Sequence, residues 1–268
     1  MRVVLLGALL AGFAAAPGIA QTYPRQTPVP RTTSVPALSQ LAVAREIEER
    51  FRIGIAAEAA GRYSEAVAEF ERIVALNPAE PKGSTARYDA AVAYANLGRN
   101  DEAARSLRGA LALDPGFLAA MANLVSVDVA RGDLREARSV ADRYVALDPA
   151  SARALYSRGI VALQTGDSRT AREDFGKLLH ANPSYAVAHY DLALAEERLL
   201  QYDAAERELR TALTLAPTYA RAELALGAVL LKQGRRSEAR DAFSRATRDA
   251  ADPALQNIAA AMRDSIAI

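Results

Sequence analysis

The chain has 268 residues, 51% of them hydrophobic, with 33 Lys and Arg against 32 Asp and Glu, two His and no Cys. Near-neutral charge without a basic block or aromatic-basic interleaving excludes an electrostatic nucleic-acid platform. Without cysteine there is no disulfide, no thiolate metal ligand and no lipid-bearing N-terminal cysteine.

The N-terminus opens with Arg2 and an apolar run from Val3 to Ala16, followed by Pro17-Gly18-Ile19-Ala20. A positive start, an apolar stretch and small residues at its end form the pattern of a signal peptide, residues 1–20, with cleavage after Ala20. The expected location is periplasmic or secreted. The alternative is a retained membrane anchor, against which stand the Ala- and Gly-rich composition, Pro17 and a length barely sufficient to span a bilayer. Residues 21–40 carry Pro24, Pro28, Pro30 and Pro36 among Thr, Gln and Ser, the composition of a disordered spacer.

Beyond the spacer the chain repeats. Pro115, Pro149, Pro183 and Pro217 are each 34 residues apart, and a fixed period of that size means stacked units with no single globular core. Aligned on those prolines, Ala103, Ala137, Ala171, Ala205 and Ala239 share one column, and Gly98, Gly132, Gly166, Leu200 and Gly234 share another. An earlier copy carries Gly61, Ala66, Phe70 and Pro78, with extra residues at Pro81-Lys82-Gly83. Each unit has two stretches with apolar residues at helical spacing, such as Leu155, Gly159, Ala162 and Leu163, then Ala171, Phe175, Leu178 and Leu179. The unit is a helical hairpin. Its glycine column supplies the left-handed residue of the turn. Ser64, Asp101, Asp203 and Ser237 are the expected caps of the second helix, which ends at Asn77-Pro78, Asp114-Pro115, Asp148-Pro149, Asn182-Pro183 and Ala216-Pro217.

On these residues the chain resembles a tetratricopeptide repeat protein. That family sets Gly or Ala at position 8, Ala at 20, a large residue at 24 and Pro at 32 of its repeat. Here position 8 holds Gly54, Ala91, Val125, Gly159, Ala193 and Gly227, and position 24 holds Phe70, Leu107, Ala141, Phe175, Leu209 and Phe243. The resemblance implies six repeats within 41–253, at 47–80, 84–117, 118–151, 152–185, 186–219 and 220–253. It implies an all-α fold, an α-solenoid coiled as a right-handed superhelix of helix-turn-helix hairpins. Three residues depart from the pattern. Tyr144 follows Ala141 in repeat 3, an exchange of large and small; Arg158 takes a leucine position in repeat 4, where its stem is expected to pack while the guanidinium reaches water; and Leu200 replaces the turn glycine of repeat 5. In 254–268, Leu255, Ile258, Ala259, Met262 and Ile266 fall on one helical face, which reads as a capping helix over the last repeat, the alternative being a docking helix.

Catalytic chemistry finds no constellation. His180 and His189 lack further ligands, there is no His-Glu-x-x-His, phosphate loop or Gly-x-Ser-x-Gly elbow, and adjacent acids such as Glu173-Asp174 and Glu196-Glu197 point about 100° apart on a helix. No catalytic, cofactor-binding or metal-binding residue is nominated, and the expectation is a non-enzymatic protein.

Binding is what the architecture offers. The resemblance places positions 2, 5, 6, 9, 12 and 13 of each repeat on a concave wall, which makes Tyr88, Asn123, Arg153, Tyr156, Tyr190, Asp191, Arg198, Arg221 and Lys232 the candidate peptide-binding residues. Tyr88, Tyr156 and Tyr190, all at position 5, either anchor a ligand or pack against the next repeat. The carboxylate clamp of the family's chaperone-tail binders is not matched, for there is no Lys at position 5 and no Asn at position 9. The wall reads as acidic toward its start, with Glu48, Glu58 and Asp89, and basic toward its end. The expected partner is a protein or peptide segment with an acidic stretch along repeats 4 to 6 and an apolar anchor near Tyr156 and Tyr190; nucleic acid is not expected, and a membrane only if the N-terminal segment is retained. The function so read is an exported scaffold of a bacterial envelope, the alternative being a membrane-anchored assembly subunit of a secretion, pilus or outer-membrane machine.

Overall fold

The computed structural model describes residues 38–266, so the expected signal peptide and most of the expected spacer lie outside the described residues. The chain divides into two units after Leu41, and the helical array belongs to the second, Ala42–Ile268. Thirteen helices and no strand occur among the described residues. First helices of the hairpins are α1 (Leu38–Ala59), α3 (Lys82–Asn96), α5 (Leu118–Arg131), α7 (Ala152–Thr165), α9 (Ala186–Arg198) and α11 (Ala220–Lys232). Second helices are α2 (Tyr63–Ala75), α4 (Asn100–Leu113), α6 (Leu134–Leu147), α8 (Ser168–Ala181), α10 (Tyr202–Leu215) and α12 (Arg236–Asp249), and α13 (Pro253–Asp264) lies against α12. Because α1 starts at Leu38, the last residues of the stretch assigned to the spacer are helical; after Pro36 nothing in Leu38-Ser39-Gln40 breaks a helix.

Two sets of glycines do different work. Gly61, Gly98, Gly132, Gly166 and Gly234 have φ between 71 and 83°, and a β-carbon on any of them would meet nothing within 4 Å. They are glycine for the backbone. Leu200 takes the same left-handed conformation, φ 61°, with a side chain 70% exposed. Gly54, Gly159 and Gly227 are glycine for space: a β-carbon there would lie 2.7, 2.6 and 2.5 Å from the rings of Phe70, Phe175 and Phe243, all fully buried. The same two positions hold Ala91 with Leu107, Val125 with Ala141 and Ala193 with Leu209, so a larger first residue accompanies a smaller second one. The layer between the two helices keeps its volume.

Two expectations need correction. Ser64, Asp101, Asp203 and Ser237 do not cap the second helices. The chain leaves the left-handed turn residue directly into the helix, so the caps are Arg62, Arg99, Gln201 and Arg235, and the expected residues sit inside the first turn. Arginine at the cap pairs with a glutamate of that turn, Arg62 with Glu65 at 2.7 Å, Arg99 with Glu102 at 2.6 Å and Arg235 with Glu238 at 2.5 Å. These glutamates also suit the positive end of the helix. Asp101 and Asp203 turn instead to the next repeat, accepting from Arg131 and Gln233, each at 2.8 Å. Nor does the Arg158 guanidinium reach out to water: it donates twice, at 2.7 Å each, to Asp174 on α8, whose side chain is fully buried. A charge at a core position is accommodated by an opposite one.

The first helices form the crowded row. α3 touches α5, α5 touches α7, α7 touches α9 and α9 touches α11, whereas no second helix makes an equally extensive contact with the next second helix. An array packed more closely along one row curves toward it, which makes the row of first helices its concave wall.

Candidate functional site

Along that inner row, position 5 of one repeat meets position 6 of the next, 35 residues on. The Tyr156 hydroxyl donates to Asp191 Oδ2 at 2.9 Å, and Asn123 Nδ2 donates to the Tyr88 hydroxyl oxygen at 3.2 Å. Arg153 closes the other side of Asn123, donating to its Oδ1 at 2.7 Å. So Tyr88 and Tyr156 are bound to the next repeat while lining the row. Tyr88 and Tyr156 are half-buried and Tyr190 is buried.

Each tyrosine also stacks on an aromatic residue at the last position of its own repeat. Ring centroids are 5.0 Å apart for Tyr88 and Phe117, 5.6 Å for Tyr156 and Tyr185, and 5.2 Å for Tyr190 and Tyr219. Phe117, Tyr185 and Tyr219 stand just before α5, α9 and α11, where the chain enters the next inner helix. Repeat 3 has neither partner: Ala122 replaces the tyrosine, and Ser151 replaces the second aromatic and caps α7 through its hydroxyl, which accepts from Ala154 N at 3.2 Å. These last-position aromatics were missed in the sequence, although Tyr185 and Tyr219 keep the 34-residue period.

Burial shapes the electrostatics of the row. Desolvation pushes the Asp191 carboxyl up to about 7, with the Tyr156 hydroxyl acting against it. Asp89 is likewise pushed up to about 7 by desolvation and then by the charge of Glu58. The phenols of Tyr156, Tyr185, Tyr190 and Tyr219 are all raised, by desolvation first and by the Asp191 charge as well.

Among the sequence-derived candidates Tyr88, Asn123 and Arg153 form one bonded set; Tyr156 is bonded to Asp191 and stacked on Tyr185, and Tyr190 is stacked on Tyr219. Arg221 is half-buried, and its charge favours ionisation of Tyr190 and Tyr219. Arg198 donates to the Leu163 carbonyl of the preceding repeat, and Lys232 stands exposed in the last turn of α11. His189 is engaged by Glu208 at 2.6 Å and by the Pro183 carbonyl at 2.9 Å, while His180 is exposed. Among the described residues no group of three metal-ligating side chains comes together, and no helix is long and apolar enough to cross a membrane. What the row offers is a polar, tyrosine-rich surface of repeating pitch.

Comparison with known proteins agrees with that architecture. One tetratricopeptide repeat model matches residues 51–116 and 158–219, and a second matches 97–158 and 194–262, so the matched segments run together from 51 to 262. No curated protein matches. Among solved structures, residues 41 to the end of MamA from Desulfovibrio magneticus align with a TM-score of 0.58 at 21% identity, over 62% of this chain and 93% of that one. A tetratricopeptide repeat protein from Parabacteroides merdae gives 0.61 at 18% identity, over 82% and 100%. The Cut9-Hcn1 hetero-tetramer of the APC/C gives 0.66 at 21%, over 86% and 45%. At such identities the likeness is one of fold.

Proposed function

We propose that this protein, which belongs to the tetratricopeptide repeat family, is a scaffold that holds an extended or helical segment of a partner protein along its inner row of helices. Proteins built of these repeats bind protein partners and are generally non-enzymatic. The observation that carries the reading is the inner row itself, where tyrosine rings and polar side chains recur at the repeat pitch and present both apolar area and hydrogen-bonding groups at low entropic cost. The segment has an apolar anchor that seats near Tyr156 and Tyr190, and an acidic stretch that lies along repeats 4 to 6 toward Arg221 and Lys232. Rings supply most of the affinity and charges set orientation and rate.

The site of action is the periplasm or the cell exterior, reached through an N-terminal segment cleaved after Ala20. A second reading, favoured by the apolar run from Val3 to Ala16, keeps that segment in the membrane and makes the protein an assembly subunit of an envelope machine. The N-terminal residue of protein isolated from cells separates them: Gln21 supports export with cleavage, and Met1 in the membrane fraction supports the anchor. The groove is tested by placing a photoreactive residue at Tyr156. Cross-links to one defined segment of a partner support the reading, and cross-links that instead map from α6 or α8 move the site to the outer row.

A further inference from the structure

Asp191 is, among the described residues, an acid without an ion-pair partner in the middle of the inner row. Its side chain lies in a residue only 6% exposed, on α9, where it is met by the Tyr156 hydroxyl at 2.9 Å. Four other buried acids each hold an arginine: Glu69 holds Arg50, Asp128 holds Arg108 and Arg131, Asp174 holds Arg158, and Glu223 holds Arg245. Glu196, 8% exposed, makes no ion pair among the described residues, but the charges of Arg207 and Arg172 act on it. Among the described residues no cationic side chain lies within ion-pairing distance of Asp191; burial and the Tyr156 hydroxyl are what act on its carboxyl. A buried charge left unpaired costs free energy. Asparagine would meet the tyrosine at no such cost, as Asn123 meets Tyr88 at the matching position of repeat 3.

The surroundings indicate what the charge is for. Tyr156 stacks on Tyr185, which is 41% exposed, and Tyr190 stacks on Tyr219. The Tyr156 hydroxyl touches the carboxylate, and the Asp191 charge acts on all four phenols, so four electron-rich rings lie within its field. A cation is attracted by the faces of such rings and by the carboxylate at once. An anion finds only repulsion there, and the apolar anchor proposed above, seated on the rings, supplies no counter-charge to the carboxylate.

We infer that Asp191, with Tyr156, Tyr185, Tyr190 and Tyr219, is a receptor for one cationic side chain, arginine or lysine, of the partner segment. The inference rests on the groove reading above and sharpens it: the segment carries a basic residue within its acidic stretch. That residue supplies the counter-charge that the described residues do not give Asp191, so it discriminates among segments more than any surface charge does.

The test uses the full chain with ring-labelled tyrosine, observed by NMR, and N-acetyl-arginine amide as probe, with N-acetyl-citrulline amide as its neutral isostere. Saturable shifts of the Tyr156, Tyr185, Tyr190 and Tyr219 ring signals are expected at millimolar arginine, with citrulline weaker by about tenfold or more. Asp191→Asn keeps the shape and the partner of the Tyr156 hydroxyl, and it should weaken the arginine response by a similar factor. Tyr185→Ala, at an exposed ring, should also weaken it, and His180→Ala, at an exposed position of α8, should not. Equal responses to arginine and citrulline, a response that survives Asp191→Asn, or no saturation by about 10 mM overturns the inference. So does a gain on Arg221→Gln as large as the loss on Asp191→Asn, which would mean that Asp191 is neutralised within the chain. Failure of the groove reading looks different: the arginine probe saturates, but a photoreactive residue at Tyr156 gives no cross-link to a defined segment.

Discussion

The ring of Phe175 occupies the place that a side chain on Gly159 would need, for a β-carbon on residue 159 would lie 2.6 Å from Phe175 Cε1. Gly159→Ala should therefore destabilise by roughly 1–3 kcal/mol, the usual cost of overpacking a core. Phe175→Leu should relieve that cost, because the alanine-leucine pair already serves in repeats 2 and 5 as Ala91 with Leu107 and Ala193 with Leu209. A double-mutant cycle by urea unfolding measures it, and additive effects would show that the two positions do not share a packing layer.

Leu200 holds a left-handed backbone that glycine supplies in the other described turns of its column, and its exposed side chain packs on little. Leu200→Gly should stabilise by roughly 0.5–1 kcal/mol, the strain relieved exceeding the extra freedom glycine gains in the unfolded chain. A lower melting temperature for Leu200→Gly would show that the side chain makes contacts that outweigh the strain.

Arg158 neutralises a fully buried Asp174, so Arg158→Met should cost about 3–5 kcal/mol by leaving a buried charge alone. Adding Asp174→Leu should recover most of that loss, since an apolar pair of similar volume suits the site. If the double variant is no better than the single one, the pair contributes something that packing does not replace.

Stability should fall between acid and neutral pH. Asp89 and Asp191 titrate near 3.8 when unfolded and are pushed up to about 7 by burial in the fold. Between those values the folded state holds one proton more at each site, so each contributes stability that is full below 3.8, declines as pH rises and is gone above about 7. The slope is at most about 1.4 kcal/mol per pH unit per group. Glu196, also pushed up to about 7 and with a buried oxygen that has no hydrogen-bond partner among the described residues, acts in the same direction. Lowered acids such as Asp167 act oppositely, but they lie near the surface and are screened. Urea unfolding from pH 4 to 8 should show the decline, and Asp191→Asn should remove part of it; a flat profile would place these carboxyls in water.

Helices, turns and repeat frame were legible because each depends on residues close in sequence: the proline beat, the glycine column, the apolar spacing. The caps were misread because the exit from a left-handed residue costs no extra residue, which only the backbone path reveals at Arg99 and Asp101. Arg158 was read as solvent-seeking since its partner Asp174 lies 16 residues away, on the other helix of the hairpin. The candidate tyrosines could be named from their register, but Tyr156 meets Asp191 only after whole repeats stack, and no local pattern encodes that bond. The stacking of Tyr185 and Tyr219 was hidden for a simpler reason: their column falls at the junction between repeats, outside the positions that define either helix.

Asn123 is tied on both sides, giving a hydrogen bond to Tyr88 in the repeat before it and taking one from Arg153 in the repeat after it. When a curved spring is straightened its inner edge stretches first, and that is the edge these bonds cross, together with the bond from Tyr156 to Asp191. They act as stays that hold the curvature of repeats 2 to 5. Straightening these repeats would break them, so the curvature of repeats 2 to 5 is held by three hydrogen bonds as well as by the packing of the helices.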